Sequence, residues 1–169
     1  MSQNEQTQMQ EPYDIAIQGY RGAFHDIAAR HFIGEESFVI REAIDFQTVL
    51  RHVEAGQLHH RGMMAIENTL FGSLMSNYQL ISDANIWIEG EVYLRIHQNL
   101  LALPGQRLED LEEVYSHPIA IAQCEDFFHQ YPNIKLIESE DTAGSAMMIN
   151  THQMEKVGAI ASNLAADIY

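Results

Sequence analysis

Short apolar runs alternate with helix-period stripes along most of this chain, and that alternation restricts the fold more than any other feature. Ile15-Ala16-Ile17 reads as a strand, and Phe24, Ile27, Ala28, His31 and Phe32 then share one helical face. Phe38-Val39-Ile40 is a second strand. Asp45 is a good N-cap for a stripe of Phe46, Val49, Leu50 and Val53, which Gly56 can end. Met63 to Ile66 reads as a third strand, with Leu74, Tyr78 and Ile81 marking its helix. Further on, Val114-Tyr115 leads into a helix from Pro118 to about Gln130, Lys135 to Ile137 into one from Thr142 to about Ile149, and Ala159 to Ala161 into Ser162 to Tyr169. Repeated strand–helix units join by right-handed crossovers and cover a sheet on its faces. The chain is therefore predicted to be α/β, with mainly parallel sheets and flanking helices.

One passage breaks the repetition. Ile86-Trp87-Ile88 and Val92 to Leu103 read as one or two long strands closed by a Pro104-Gly105 turn. We read it as a hinge, with a first lobe over 13–88 and the hinge strands and second lobe over 89–169. Residues 1–12 are polar and read as a disordered tail.

The net charge of −15 excludes a nucleic acid or an anionic membrane as partner, because either needs a basic surface. An acidic protein that holds an anion must do so with local donors. No apolar run reaches the length of a membrane span, and the first residues lack the basic and apolar regions of a signal peptide. The single cysteine, Cys124, allows no intrachain disulfide, which fits a reducing cytoplasm; it lies among Ala120, Ile121, Phe127 and Phe128 and reads as a buried structural thiol.

In open α/β sheets ligands bind at the carboxyl ends of the strands, where helix N-termini point. Four polar loops fall there: 19–26, 67–73, 116–124 and 138–146. In the first, Gly22 permits a tight turn before Phe24. In the second, an apolar run stops at Glu67, Asn68 and Thr69. In the third, Pro118 fits the first helical position with Ser116 or His117 as cap, and Gln123, seven residues after Ser116, can share its helix face. In the fourth, Asp141 or Thr142 caps a helix. Each loop taken singly is explained by capping. Together they offer backbone N–H groups and neutral side-chain donors, which suit a carboxylate without net positive charge. His59-His60 lies in a polar loop and reads as solvated. There is no HExxH, no Cys/His cluster, no GxGxxG, no GxxxxGK[ST] and no GxSxG, so neither a metal nor a nucleotide cofactor is expected.

These loops together resemble the prephenate dehydratase family. The segments are Ile66 to Ser73, Gly90 to Leu103, Val114 to Cys124, Asp141 to Ile149 and Gly158 to Tyr169, in the family's order, and the likeness runs from about Ile15 to Tyr169. The resemblance implies a two-lobed fold like that of type II periplasmic binding proteins, with the site between the lobes. It implies a cytoplasmic lyase that converts prephenate to phenylpyruvate, water and carbon dioxide in phenylalanine biosynthesis, homodimeric or larger in its full-length form. By motif position Asn68, Ser116, Gln123 and Glu140 correspond to catalytic cleft residues. Gly22, Ala23, His25, Glu67, Thr69, His117, Thr142 and Ala143 are implied as substrate neighbours. The first loop departs from the family pattern: Ala23 stands where a hydroxyl residue is usual, and His25 where a serine is. The family also continues with a Thr-Arg-Phe motif that is absent from this chain, so a fragment of a longer protein, without the rest of the catalytic domain or any ACT domain, is expected to be inactive. Two alternatives stay open: a module that binds a small carboxylate without chemistry, and an arogenate dehydratase.

Overall fold

The computed structural model describes residues 12–34, 36–56 and 60–169. The tail expected over 1–12 therefore lies, apart from Pro12, outside the described residues. A first sheet of three parallel strands has the order β2 (Phe38–Ala43), β1 (Tyr13–Gln18), β3 (His60–Met63). Its connections are helices α1 (Phe24–Ile33) and α2 (Phe46–Ala55). Ile15, Ile17, Ala29 and Ile40 form the core on one side of this sheet, while Val49 of α2 packs with Ala16 and Ala43 on the other. The local logic matches the sequence: the Asp45 carboxylate accepts from the Thr48 N–H at 2.7 Å, and Gly56 closes α2.

The second sheet has the order β6 (Asn99–Ala102), β9 (Val157–Ala161), β7 (Glu113–Ser116), β8 (Lys135–Glu138). β9, β7 and β8 run parallel, and β6 lies antiparallel to β9. Helices α4 (Pro118–Phe128), α5 (Thr142–His152) and α6 (Asn163–Ile168) flank it. β9 is buried along its whole length, as a central strand covered on both faces must be. The α/β architecture with mainly parallel sheets is thus what the chain adopts.

Two expectations are corrected. The passage from Ile86 to Leu103 contributes only β6, Asn99–Ala102, to a sheet; residues 84–98 carry no regular structure. Alternating apolar residues do not make a strand without a neighbour to pair with, and this segment instead runs along the first lobe. There Asn85 N–H donates to Glu54, Arg61 pairs with Glu89 at 2.6 Å, and Gly90 lies against the Phe32 ring. The second correction concerns residues 64–74. The strand ends at Met63, and Glu67–Asn68 (β4) pairs with Gly72–Ser73 (β5) in a small antiparallel hairpin before α3 (Met75–Asp83).

Segment 84–98 leaves Trp87 94% and Tyr93 88% exposed, with Ile88 beside them. Large exposed apolar side chains of this kind favour association. The isolated chain is expected to self-associate as its concentration is raised, and Trp87→Ser with Ile88→Ser should reduce that association. Sedimentation velocity over a dilution series checks it; a monomer at every concentration would contradict the expectation.

Candidate functional site

The loop after β1 leaves its own lobe and docks on the second. Gly19 lies against the Asp141 carboxylate, and the Tyr20 ring lies against Gly144. Gly22 is pressed on the backbone of Ala165 in α6; its N–H donates to Asp26 at 2.8 Å, and its carbonyl accepts from Ser162 Oγ at 2.5 Å. Tyr169 OH donates to the Arg21 carbonyl at 3.2 Å. Ala23 and Ala143 are buried in one apolar cluster with Ala146, Ile149, Ala159 and Ala165, so in this conformation their methyl groups serve packing between the lobes.

Asp26 is a residue that sequence reasoning passed over. It is fully buried, and its carboxylate takes both the Gly22 N–H and Arg30 Nε, the latter at 2.7 Å. The i,i+4 spacing of Asp26 and Arg30 was the available signal. His25, next to it, meets Phe46 edge-on with ring centroids 5.3 Å apart. Burial lowers its pKa to about 4, against a smaller opposing effect of a hydrogen bond with the Gln18 backbone. The imidazole is therefore neutral at neutral pH.

Three of the four polar loops sit at the carboxyl ends of strands. Ser116 ends β7 and is fully buried; its hydroxyl donates to the Ile160 carbonyl at 2.6 Å and ties β7 to β9. His117 caps α4, its Nδ1 accepting from the Ile119 N–H at 3.2 Å with Pro118 in the first turn. His117, Pro118, Glu138, Ser139 and Glu140 line an open depression where β7 and β8 end. Asp141 caps α5 and accepts from the Gly144 N–H at 2.7 Å, with Thr142 as the first helical residue. Burial raises the Asp141 carboxyl above the usual range; hydrogen bonds from the backbone of Gly144, Ala143 and Tyr20 and the nearby His117 oppose it. Cys124 is half-buried against the second-lobe core, and burial pushes its thiol up, which fits a structural thiol.

Asn68 and Gln123 share one arrangement. Asn68 Oδ1 accepts from the N–H groups of Leu70 and Phe71, at 2.9 and 3.4 Å, which fixes the hairpin turn. Gln123 Oε1 accepts from Gln98 Nε2 at 2.9 Å. In each case the oxygen is anchored, and the amide NH2 has no partner among the described residues. Gln98 Oε1, buried beside Gln123, also lacks one. Thr69 lies in the exposed hairpin turn and not at the start of α3, so it caps nothing; Glu67 is exposed in β4. Asn77, also passed over, fastens the hairpin's approach through Nδ2 to the Ala65 carbonyl at 2.7 Å.

Residues 15–169 match the family model for prephenate dehydratase. Arogenate dehydratase 2 of Petunia hybrida is 40% identical over 160 residues, which cover 92% of this chain and 38% of that protein. Among solved structures, GqqA, described as a novel type of quorum quenching acylase, has a TM-score of 0.79 at 30% identity, covering 92% of this chain and 55% of that one. The prephenate dehydratase of Staphylococcus aureus subsp. aureus Mu50 has a TM-score of 0.74 at 22% identity, covering 92% and 57%, and bears on the fold alone. The chain thus spans less than two thirds of the length of each of these relatives. With the family model matching residues 15–169, nearly the whole chain, this chain belongs to the prephenate dehydratase family.

Proposed function

We propose that the chain serves the dehydration and decarboxylation of prephenate to phenylpyruvate, in the cytoplasm, as part of a protein that forms a homodimer or larger assembly. The observation that supports this most is the pair of amides, Asn68 and Gln123, each anchored by its oxygen and offering its NH2 group. In the reaction the ring carbon–carboxylate bond breaks, its electron pair makes the ring aromatic, and the ring hydroxyl departs with a proton as water. Aromatisation supplies much of the driving force. The protein's task is to hold a dianion, hydrogen-bond the leaving hydroxyl and let one carboxylate lose its solvation. Neutral amide and hydroxyl donors suit that task, because a cation held on the departing carboxylate would stabilise the ground state. In this reading Asn68 and Gln123 donate to the substrate. Glu140, His117, Thr142, Thr69 and Glu67 stand around it, and Ser116 becomes a donor only if its bond to Ile160 is exchanged on lobe closure. His25, being neutral, can contribute a ring N–H but no charge.

The second reading is arogenate as substrate, favoured by the 40% identity to the Petunia enzyme. Arogenate carries an ammonium group, and acceptors for it are at hand in Glu138 and Glu140 on the open depression.

Formation of phenylpyruvate and of phenylalanine, measured from prephenate and arogenate with the native protein, separates the two. In either case Asn68→Ala and Gln123→Ala are each expected to cost about 1–3 kcal/mol of ligand stabilisation, the scale of an unpaired desolvated partner. Thermal unfolding should move little in Gln123→Ala and fall modestly in Asn68→Ala, which also frees the Leu70 and Phe71 N–H groups of the hairpin turn. Non-additivity in the double variant is expected if closure brings both amides to one ligand. Unchanged binding with lower unfolding temperatures would reduce Asn68 to a turn residue and Gln123 to a partner of Gln98.

A further inference from the structure

A second constellation lies at the opposite, amino end of the first sheet. Asp14 is the second residue of β1 and His60 the first of β3, and they are direct cross-strand partners. Partners in register point to the same face of a sheet. α2 crosses that face and brings His52 over both. One ligand atom from each of Asp14, His52 and His60 lies within 4.8 Å of the other two. The sequence shows no metal motif because these residues are 38 and 8 positions apart, on three different elements. His59 and His60 were expected to be solvated; His59 lies outside the described residues, and His60 is instead half-buried and stacked on His52, with centroids 4.3 Å apart.

Three details show how the cluster is held. His60 Nδ1 lies 3.1 Å from the His52 carbonyl, an acceptor only, so Nδ1 carries the proton and Nε2 keeps the free lone pair. A backbone carbonyl behind one ring nitrogen is the usual support of a ligating imidazole. Second, a Cβ at Gly56 would collide with the His60 ring. The backbone of Gly56 has φ −91°, which any residue can adopt, so the absence of a side chain there serves only to admit the ring. Third, His52 Nε2 is buried with no hydrogen-bond partner and lies 3.4 Å from Asp14 Oδ1. Arg41 occupies the other side of the carboxylate, with Nη2 at 2.5 Å from Oδ2 and Nε at 2.9 Å from Oδ1. A carboxylate offers about four lone-pair sites, so Oδ1 can face the histidines while Arg41 fixes the plane.

We propose that Asp14, His52 and His60 bind a borderline divalent cation of the zinc class, with solvent completing the coordination; the two rings, stacked at 5° to each other, turn out of parallel so that both in-plane lone pairs meet the ion. Two imidazoles and one carboxylate suit zinc, cobalt or nickel and do not suit magnesium or calcium, which take oxygen ligands. The bound ion joins β1, α2 and β3 at the end of the sheet away from the substrate loops, so its effect is on the stability of the first lobe. This inference does not rest on the substrate reading above.

The test is metal titration of the whole chain after removal of metals with a chelator. Zinc is expected to bind with one equivalent per chain and to raise the unfolding temperature, while magnesium leaves it unchanged. Cobalt is expected to give the intense visible absorption of a low-coordinate site. His60→Asn keeps a donor for the His52 carbonyl but has no Nε2, so it preserves the packing and removes the ligand. Its affinity for zinc should fall by more than the roughly 10–100-fold typical of losing only a supporting partner. His52→Gln should do the same, and His129→Gln with His152→Gln should not. Absence of a stoichiometric site, or zinc binding retained in His60→Asn with its fold intact by circular dichroism, would overturn the proposal.

Discussion

Gly22→Ala is expected to destabilise the chain by about 2–4 kcal/mol, the sum of a non-glycine residue held at positive φ and an overpacked contact. Gly22 has φ +84°, and a Cβ there would lie 2.8 Å from Ala165 Cα and 3.0 Å from its nitrogen. Backbone atoms cannot swing aside as a flexible side chain can, so either the loop or α6 must move. Movement of the loop strains the bonds from the Gly22 N–H to Asp26 and from Ser162 to the Gly22 carbonyl, both buried. Gly105→Ala is the control. Gly105 has φ +88° with nothing within 4 Å of an added Cβ, so it carries the dihedral cost alone, about 1 kcal/mol at the low end of that range. Denaturant unfolding of the two variants measures the difference. Equal losses would mean that the first loop is not packed on α6, and the seam between the lobes described above would be wrong.

Acidification is expected to remove stability between pH 6.5 and about 4 through His25. Its pKa is lowered from the ordinary 6.5 to about 4, chiefly by burial, so over that interval the unfolded chain binds a proton that the folded chain refuses. Stability therefore rises with pH across the window, is fully present above pH 6.5, and is lost as the pH falls towards 4. At 1.36 kcal/mol per unit the whole interval amounts to about 3 kcal/mol. That is a ceiling, because His25 is only half-buried. Its position in the first turn of α1 acts in the same direction, since a helix N-terminus disfavours a cation. Burial lowers the pKa of His52 as well, so the measurement is the difference between the native chain and His25→Gln. The variant should show a flatter loss of stability from pH 6.5 to 4. Parallel curves would show that His25 is protonated as freely in the fold as out of it.

Much of the fold was legible because it rests on local rules. Asp45 and Asp141 accept from helix N–H groups and Pro118 opens α4, as their types and spacings foretold. Strands β1, β2, β7, β8 and β9 fall on the apolar runs. The passage 84–98 was misread because its apolar residues cannot declare whether a pairing partner exists. The hairpin at Glu67–Ser73 was missed because a two-residue strand leaves almost no periodic signal.

The sequence by itself determined the α/β class, the helix starts and the order of the loops that mark the family, since each depends on residues a few positions apart. Tertiary structure alone decided what those loops touch. Ala23 became part of the second lobe's core, Ser116 a tie between strands, and Gly22 a contact of α6. It also set Asp14, His52 and His60 around one point. Contacts of that kind depend on strand register and on the angle at which helices cross the sheet, and no local pattern of residues carries either.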